Sequence, residues 1–348
     1  MPDAIDAFID ALPKAELHVH LVGSASVPTV LELARRHPDH GVPTTEDALR
    51  ELYTFRNFDD FIRVYLTVNG LIRDPADVRA LALGVARDLA AQNGRYVELT
   101  VSPYTHVQLA GMPAAAVTEA LDDAARTARD RHGVRVAYIF DFASEYGAEA
   151  APATLDHALT HPPRDLVGFG AGGTEKARAS CWDAIRDAFT AARAAGLHSV
   201  PHAGETTGPE TIWAALDELG AERIGHGTSA VRDPALVERL RAERIPLEVC
   251  PSSNVATGQV PGLAAHPLPR MIEAGLNVTL NSDDPPMFGT SLSEEYRRVA
   301  AAYGFGVTEL ADLAAATVRA SFLDDAAKSE LVAGIGAAAE SAGKNPGE

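Results

Sequence analysis

Short β-rich runs alternate with amphipathic helical stretches almost to the C-terminus, and this alternation restricts the chain more than any other feature. Successive βα units lay their strands side by side in a parallel sheet. The expected strands are residues 16–20, 95–100, 134–140, 166–169, 198–202, 223–226, 246–250 and 277–281. Eight of them predict an α/β fold, a closed (β/α)8 TIM barrel whose chemistry sits at the C-terminal ends of the strands. A doubly wound open sheet is the rival, but no GxGxxG opens the first helix. The covering helices are expected at 180–195, 209–220, 233–243 and 291–303, each with an apolar stripe.

The first connection breaks the rhythm. Residues 28–93 form a helical insertion after the first strand that is far longer than one βα unit requires. Within it Tyr53, Phe55, Phe58, Phe61 and Tyr65 recur at near-helical spacing, with Arg56 and Arg63 between them. Such a stretch either packs extra helices on the barrel or forms a lid over its mouth. Residues 1–333 are expected to make one domain, and 334–348, rich in Gly, Ala, Ser and Lys, a flexible tail.

At 348 residues and 46% hydrophobic, the chain can bury one large core. With 30 Lys and Arg against 48 Asp and Glu, a net charge of −18 argues against nucleic acid or anionic membranes as partners. No run approaches the ~20 apolar residues of a membrane helix, and residues 1–11 carry Asp3, Asp6 and Asp10 in place of a basic export signal. Two cysteines, Cys181 and Cys250, make no CxxC, so neither a disulfide scaffold nor a thiolate metal site is expected. A cytoplasmic location follows from these features; the oligomeric state does not.

Chemistry-bearing residues gather where apolar runs meet Gly or Pro. His18 and His20 stand two apart on the first strand, so both face the same side. His202 ends the fifth strand and Asp283 follows the eighth. Three imidazoles and a carboxylate suit Zn2+, one ion per chain, with a position left for water. Zinc brings the pKa of its water from near 16 toward ~7, making a nucleophile at neutral pH. His226 can accept that proton or hold the developing charge, Asp283 can orient the water, and Glu205 can protonate the substrate atom that gathers charge. The parts describe hydrolysis at a polarised C–N centre.

Four segments, Pro13-Lys14-Ala15-Glu16-Leu17-His18-Val19-His20-Leu21, Pro201-His202-Ala203-Gly204-Glu205, Ile224-Gly225-His226-Gly227 and Ser282-Asp283-Asp284-Pro285, together resemble the adenosine deaminase family of metal-dependent hydrolases. The resemblance implies that His18, His20, His202 and Asp283 bind the metal, Glu205 protonates purine N1, His226 assists the hydroxide, Asp284 contacts N7 and the Gly173 amide contacts N3. Two departures concern the substrate. Val22 stands where the family's adenosine enzymes resemble one another in an aspartate for the ribose 5′-hydroxyl, and Gly170-Ala171-Gly172-Gly173-Thr174-Glu175 replaces a more acidic run. The pattern, with Leu247-Glu248-Val249-Cys250-Pro251-Ser252-Ser253-Asn254 and Asp284-Pro285-Pro286-Met287-Phe288-Gly289-Thr290, is similar to the branch acting on 6-amino-6-deoxyfutalosine, a menaquinone precursor with a 5′ aryl keto carboxylate. The substrate is then a small purine nucleoside faced by His20, Val22, Arg56, Phe58, Phe61, Gly173 and Asp284, Arg56 offering its carboxylate a charge. Adenosine, adenine, and a metal-binding barrel without turnover remain the alternatives.

Overall fold

In a computed structural model, which describes residues 4–343, the eight expected strands are all present. They are β1 (Lys14–His20), β2 (Gly94–Val101), β3 (Arg135–Phe140), β4 (Leu166–Ala171), β5 (His198–Ala203), β6 (Ile224–His226), β7 (Pro246–Val249) and β8 (Asn277–Leu280). Every neighbouring pair is parallel and the order is sequential from β1 to β8. Just beyond β8 the ring closes on β1, where Asp283 N donates to His18 O at 2.9 Å and His20 N to Asp283 O at 3.2 Å. Eight strands at this closure leave an interior wide enough only for side chains. The inner faces of the strands are polar, carrying the histidines, and their outer faces, turned to the helices, are apolar, with Leu17, Val97, Leu99, Leu247 and Leu280 fully covered.

The insertion divides. Helix Pro75–Ala90, opened by a capping box of Asp74 and Asp77, buries Val78, Leu81, Val85 and Leu89 and packs beside β2 and the next barrel helix, Ala114–His132. It is therefore the wall helix of the first βα unit. The surplus consists of Val27–Arg36, Glu46–Leu52 and Phe58–Asn69. Asn57 caps the last of these by accepting from Asp60 N at 2.9 Å. Its residues Phe58, Phe61, Ile62, Tyr65, Leu66 and Asn69, spaced as one helical face, lie over the mouth of the barrel.

The C-terminal expectation needs correcting. Helix Asp325–Gly343 continues well past Ala333, where a tail was expected to begin. Alanine-rich composition favours helix, and this helix gains tertiary support against the N-terminal helix Ala4–Ala11 and against Val307–Ala320, with Ile335 buried. Residues 344–348 of the expected tail lie outside the described residues. Among the described residues no helix is long and apolar enough to cross a membrane.

Candidate active site

β1 places His18 and His20 on one face, β5 brings His202, and the turn after β8 brings Asp283. The ligand-capable atoms of His18, His20 and His202 all lie within 4.8 Å of one another. His20 Nε2 stands 3.2 Å from Asp283 Oδ1 and 3.3 Å from His202 Nε2, and His18 Nε2 is buried without a hydrogen-bond partner. Two imidazole nitrogens so close would oppose lone pairs unless a proton or a cation lies between them. Burial pushes His202 well below its ordinary pKa, with His18 and His20 adding to the effect. Burial disfavours charge on His20 too, yet Asp284 and Asp283 outweigh it and draw this imidazole up to about 10. A site whose carboxylates demand positive charge, and in which His18 Nε2 is buried with no partner, fits a divalent cation that prefers nitrogen and oxygen ligands. Cys250 lies near His18 and Asp283, but burial pushes its thiol well up, so it is no thiolate.

The donors are held from behind. Glu248 Oε2 meets His18 Nδ1 at 2.8 Å, which leaves Nε2 to face the centre. Arg223 clamps Glu248 Oε1 at 2.6 Å, pairs with Glu98, and donates to Ala320 O at 3.0 Å. Ser253 Oγ donates to Asp283 Oδ2 at 2.6 Å. Both Asp283 (φ 65°) and His226 (φ 60°) occupy left-handed backbone that non-glycine residues seldom adopt, a strain that clusters at functional sites.

Glu205 sits beyond His202 on the β5 turn. Its backbone N–H donates to Glu175 Oε1 at 2.8 Å, as does Thr206 N at 2.9 Å, while Gly204 N and Thr211 Oγ1 reach Oε2 at 3.0 and 2.8 Å. One carboxylate thus gathers the whole turn. Burial, then the charges of Asp283 and Glu175, pushes the Glu205 carboxyl well above the usual range. His226 Nε2 lies 3.6 Å from Glu205 Oε2 and 3.9 Å from Asp283 Oδ2. Burial, with His18 nearby, lowers this imidazole to about 3, so it is neutral.

Of these, His20, His202, Glu205, His226 and Asp283 open into a cleft of about 870 Å³, a volume that includes space open to solvent, which also contacts Val22, Phe58, Phe61, Gly173 and Asp284. Gly173 holds φ 73°, a backbone that favours glycine, and a Cβ there would also stand 3.0 Å from Ser144 N. One expected residue is misplaced. Arg56 is 81% exposed, turns back to Asp60 Oδ2 at 2.7 Å, and does not line the pocket; Arg63 pairs with the same aspartate. The nearby Asp60, one helical turn along, offers a partner at less desolvation than the pocket would demand. Sequence reasoning missed Glu175, Glu248 and Ser253, and with them Asp141, which lines the pocket, Arg178, which donates to His202 O and Ala171 O, Asn254, whose amide nitrogen lies 3.3 Å from His226 Nδ1, and His266 behind it. Only Glu175, after the glycine run, and Glu248, Ser253 and Asn254, in the run from Leu247 to Asn254, stood in stretches already singled out.

Comparison with known proteins agrees with this architecture. Residues 13–338 match the family described as Adenosine deaminase. An aminodeoxyfutalosine deaminase of Streptomyces coelicolor is 50% identical over 95% of this chain and 85% of its own. The crystal structure of an adenine deaminase from Arthrobacter aurescens superposes with a TM-score of 0.88 at 32% identity, covering 94% of this chain and 98% of that one. An amidohydrolase from Burkholderia ambifaria, solved with bound zinc, gives 0.89 at 26% identity over 99% and 95% of the two chains. With the barrel, the strand-end donor set and a match over nearly its whole length, the chain belongs to the adenosine deaminase family.

Proposed function

We propose that this protein is a zinc-dependent hydrolytic deaminase that converts the 6-amino group of an adenine nucleoside to the 6-oxo product with release of ammonia, and that its favoured substrate is 6-amino-6-deoxyfutalosine. One ion per chain would be held by His18, His20, His202 and Asp283. When bound, it supplies the acidity that brings water close to ionisation at neutral pH. The observation that carries the reading is that Glu205 and His226 open into the same pocket as His20, His202 and Asp283 of that donor set.

The chain's own groups divide the remaining work. Glu205, whose burial favours the protonated carboxyl, would deliver a proton to purine N1 as the ring accepts negative charge. Glu175 holds the turn that aims it. His226 faces the point of attack as a neutral imidazole, and Asp283, fixed by Ser253, orients the attacking water. Gly173 and Asp284 stand on the pocket wall where N3 and N7 are to be met. Without these contacts the purine could bind but would not be aligned for attack.

Beyond the purine, Val22 offers no acceptor for a 5′-hydroxyl, and Phe58, Phe61, Ile62, Tyr65 and Leu66 form an apolar wall suited to an aryl group. The similarity to the Streptomyces enzyme, over 95% of this chain, favours the same substrate. Among the described residues the lining contains no Lys or Arg, so the substrate's carboxylate would meet neutral donors such as Asn69 and His106 or the solvent at the mouth. The deciding experiment compares kcat/KM for 6-amino-6-deoxyfutalosine, adenosine and adenine in one preparation by the loss of 6-aminopurine absorbance. A preference of at least about tenfold for the first is expected, since one lost hydrogen bond to a charged acceptor is worth that much. Preference for adenosine or adenine would replace the substrate, and turnover of none would leave a binding barrel.

A further inference from the structure

His226 is followed, on the side away from the pocket, by a row of buried hydrogen-bonding groups that ends in a backbone N–H. Leu268 N lies 3.0 Å from His266 Nδ1. A backbone amide can only donate, so Nδ1 must accept and carries no proton. The one proton of neutral His266 is then on Nε2, which stands 3.1 Å from Asn254 Oδ1. With its oxygen so engaged, Asn254 turns its amide nitrogen to His226 Nδ1 at 3.3 Å and donates to it. The proton of His226 is thereby left on Nε2, the nitrogen that faces Glu205 Oε2 at 3.6 Å and Asp283 Oδ2 at 3.9 Å.

The chain of donors has one solution because each ring holds a single proton. Burial lowers His266 to about 4, and the amide N–H that Asn254 aims at His226 Nδ1 leaves that nitrogen no room for a proton. Asn254, His266 and His226 are all buried, so water does not compete for these bonds. A buried Asn between two histidines is otherwise an expensive way to fill space, and an apolar residue of the same size would avoid the cost of desolvating its amide.

We propose that Asn254 and His266 are positioning residues that fix His226 as the Nε2–H tautomer, so that His226 donates a hydrogen bond to the attacking oxygen, whose own proton passes to the Asp283 carboxylate and not to the imidazole. This rests on the deaminase reading for its consequence, though not for its geometry. A lone pair on Nε2 is what a general base requires, and here it is absent. A fixed N–H aimed at developing negative charge lowers the barrier without any proton moving through the imidazole. The two roles that the sequence leaves open for His226 are thus separated by residues 28 and 40 positions further along the chain.

The test is NMR on the full, metal-loaded protein with ring-15N histidine, with the His226 signals identified by their loss in His226→Gln. In the unmutated protein Nε2 should show a directly bonded proton and Nδ1 none; a proton on Nδ1 would overturn the proposal, whatever the enzyme's substrate. Asn254→Asp places an acceptor at Nδ1 and should reverse the tautomer. In that variant kcat should drop by about a hundredfold, the usual cost of one donor to developing charge, while KM and metal content stay within about threefold. His266→Gln keeps an acceptor for Leu268 N and a donor for Asn254, so both tautomer and kcat should survive. An Asn254→Asp variant that reverses the tautomer yet keeps its rate sinks the catalytic half of the idea. If Asn254→Asp does not fold, the spectra of the unmutated protein and of His266→Gln still decide the tautomer. Failure of the unmutated protein to deaminate any aminopurine would remove the function and leave the tautomer standing.

Discussion

Arg223→Met is the substitution whose cost the structure defines best. Arg223 is 1% exposed and lies between Glu98, 0% exposed, and Glu248, 1% exposed. It also donates to Ala320 O and stacks its guanidinium 4.0 Å from the Phe322 ring centroid. Methionine replaces most of the volume, so the transfer term is small and the effect falls on the two buried carboxylates left without their cation. Removing one partner of a buried ion pair costs about 3–5 kcal/mol. That is a large share of the ~5–15 kcal/mol stability of an ordinary globular protein. The loss reaches the site as well, because Glu248 is the group that holds His18 Nδ1. Released from Arg223, it should anchor that imidazole less firmly, and metal affinity should fall by up to about tenfold, the lower end for removing a partner of a ligand. Urea unfolding at pH 7.5 measures the first effect and competition with a chelating dye the second. Adding Glu98→Gln to Arg223→Met should recover at least about 1 kcal/mol by removing one orphaned charge. A single-mutant cost below about 1 kcal/mol, or strictly additive double-mutant losses, would refute the account of the cluster.

Three further outcomes are expected. His106, His157 and His266 are each lowered to about 4, chiefly by burial, so the folded state holds them neutral while the unfolded chain protonates them below about pH 6.5. Their contribution is therefore complete above that pH and is lost as pH falls from 6.5 toward 4, by roughly 1 kcal/mol each between pH 7.5 and 5.5. Unfolding midpoints across this range check the slope, which should flatten when His157→Gln removes one of the three. Val22→Asp, placing a carboxylate on the pocket wall, should raise kcat/KM for adenosine relative to 6-amino-6-deoxyfutalosine by about tenfold; an unchanged ratio would mean that Val22 does not face the 5′ end. Arg56→Ala should leave both rates within about twofold, because its side chain is exposed and turned to Asp60; a selective loss on the carboxylated substrate would show that the lid rearranges when substrate binds.

Periodicity alone located the eight strands to within two or three residues, because βα alternation and side-chain alternation are local properties of the backbone. The pairing of His18 with His20 was legible for the same reason. That His202 and Asp283 join them was legible only through the barrel, which brings strand ends together whatever their separation in the chain. The sequence could not show that Arg56 turns away from the pocket, since the choice between solvent and interior is made by the competing carboxylate of Asp60 in three dimensions. It misjudged the end of the chain because a Gly- and Ala-rich segment has no pattern of its own, and helix Asp325–Gly343 is supported by the helices it packs against. Most of the site's support was likewise invisible. Glu175 under Glu205, Glu248 behind His18, and Asn254 with His266 behind His226 are ordinary polar residues in a sequence. Only the packed barrel removes water from around them, and once water is gone each donor and acceptor must find its partner, which determines where the protons are.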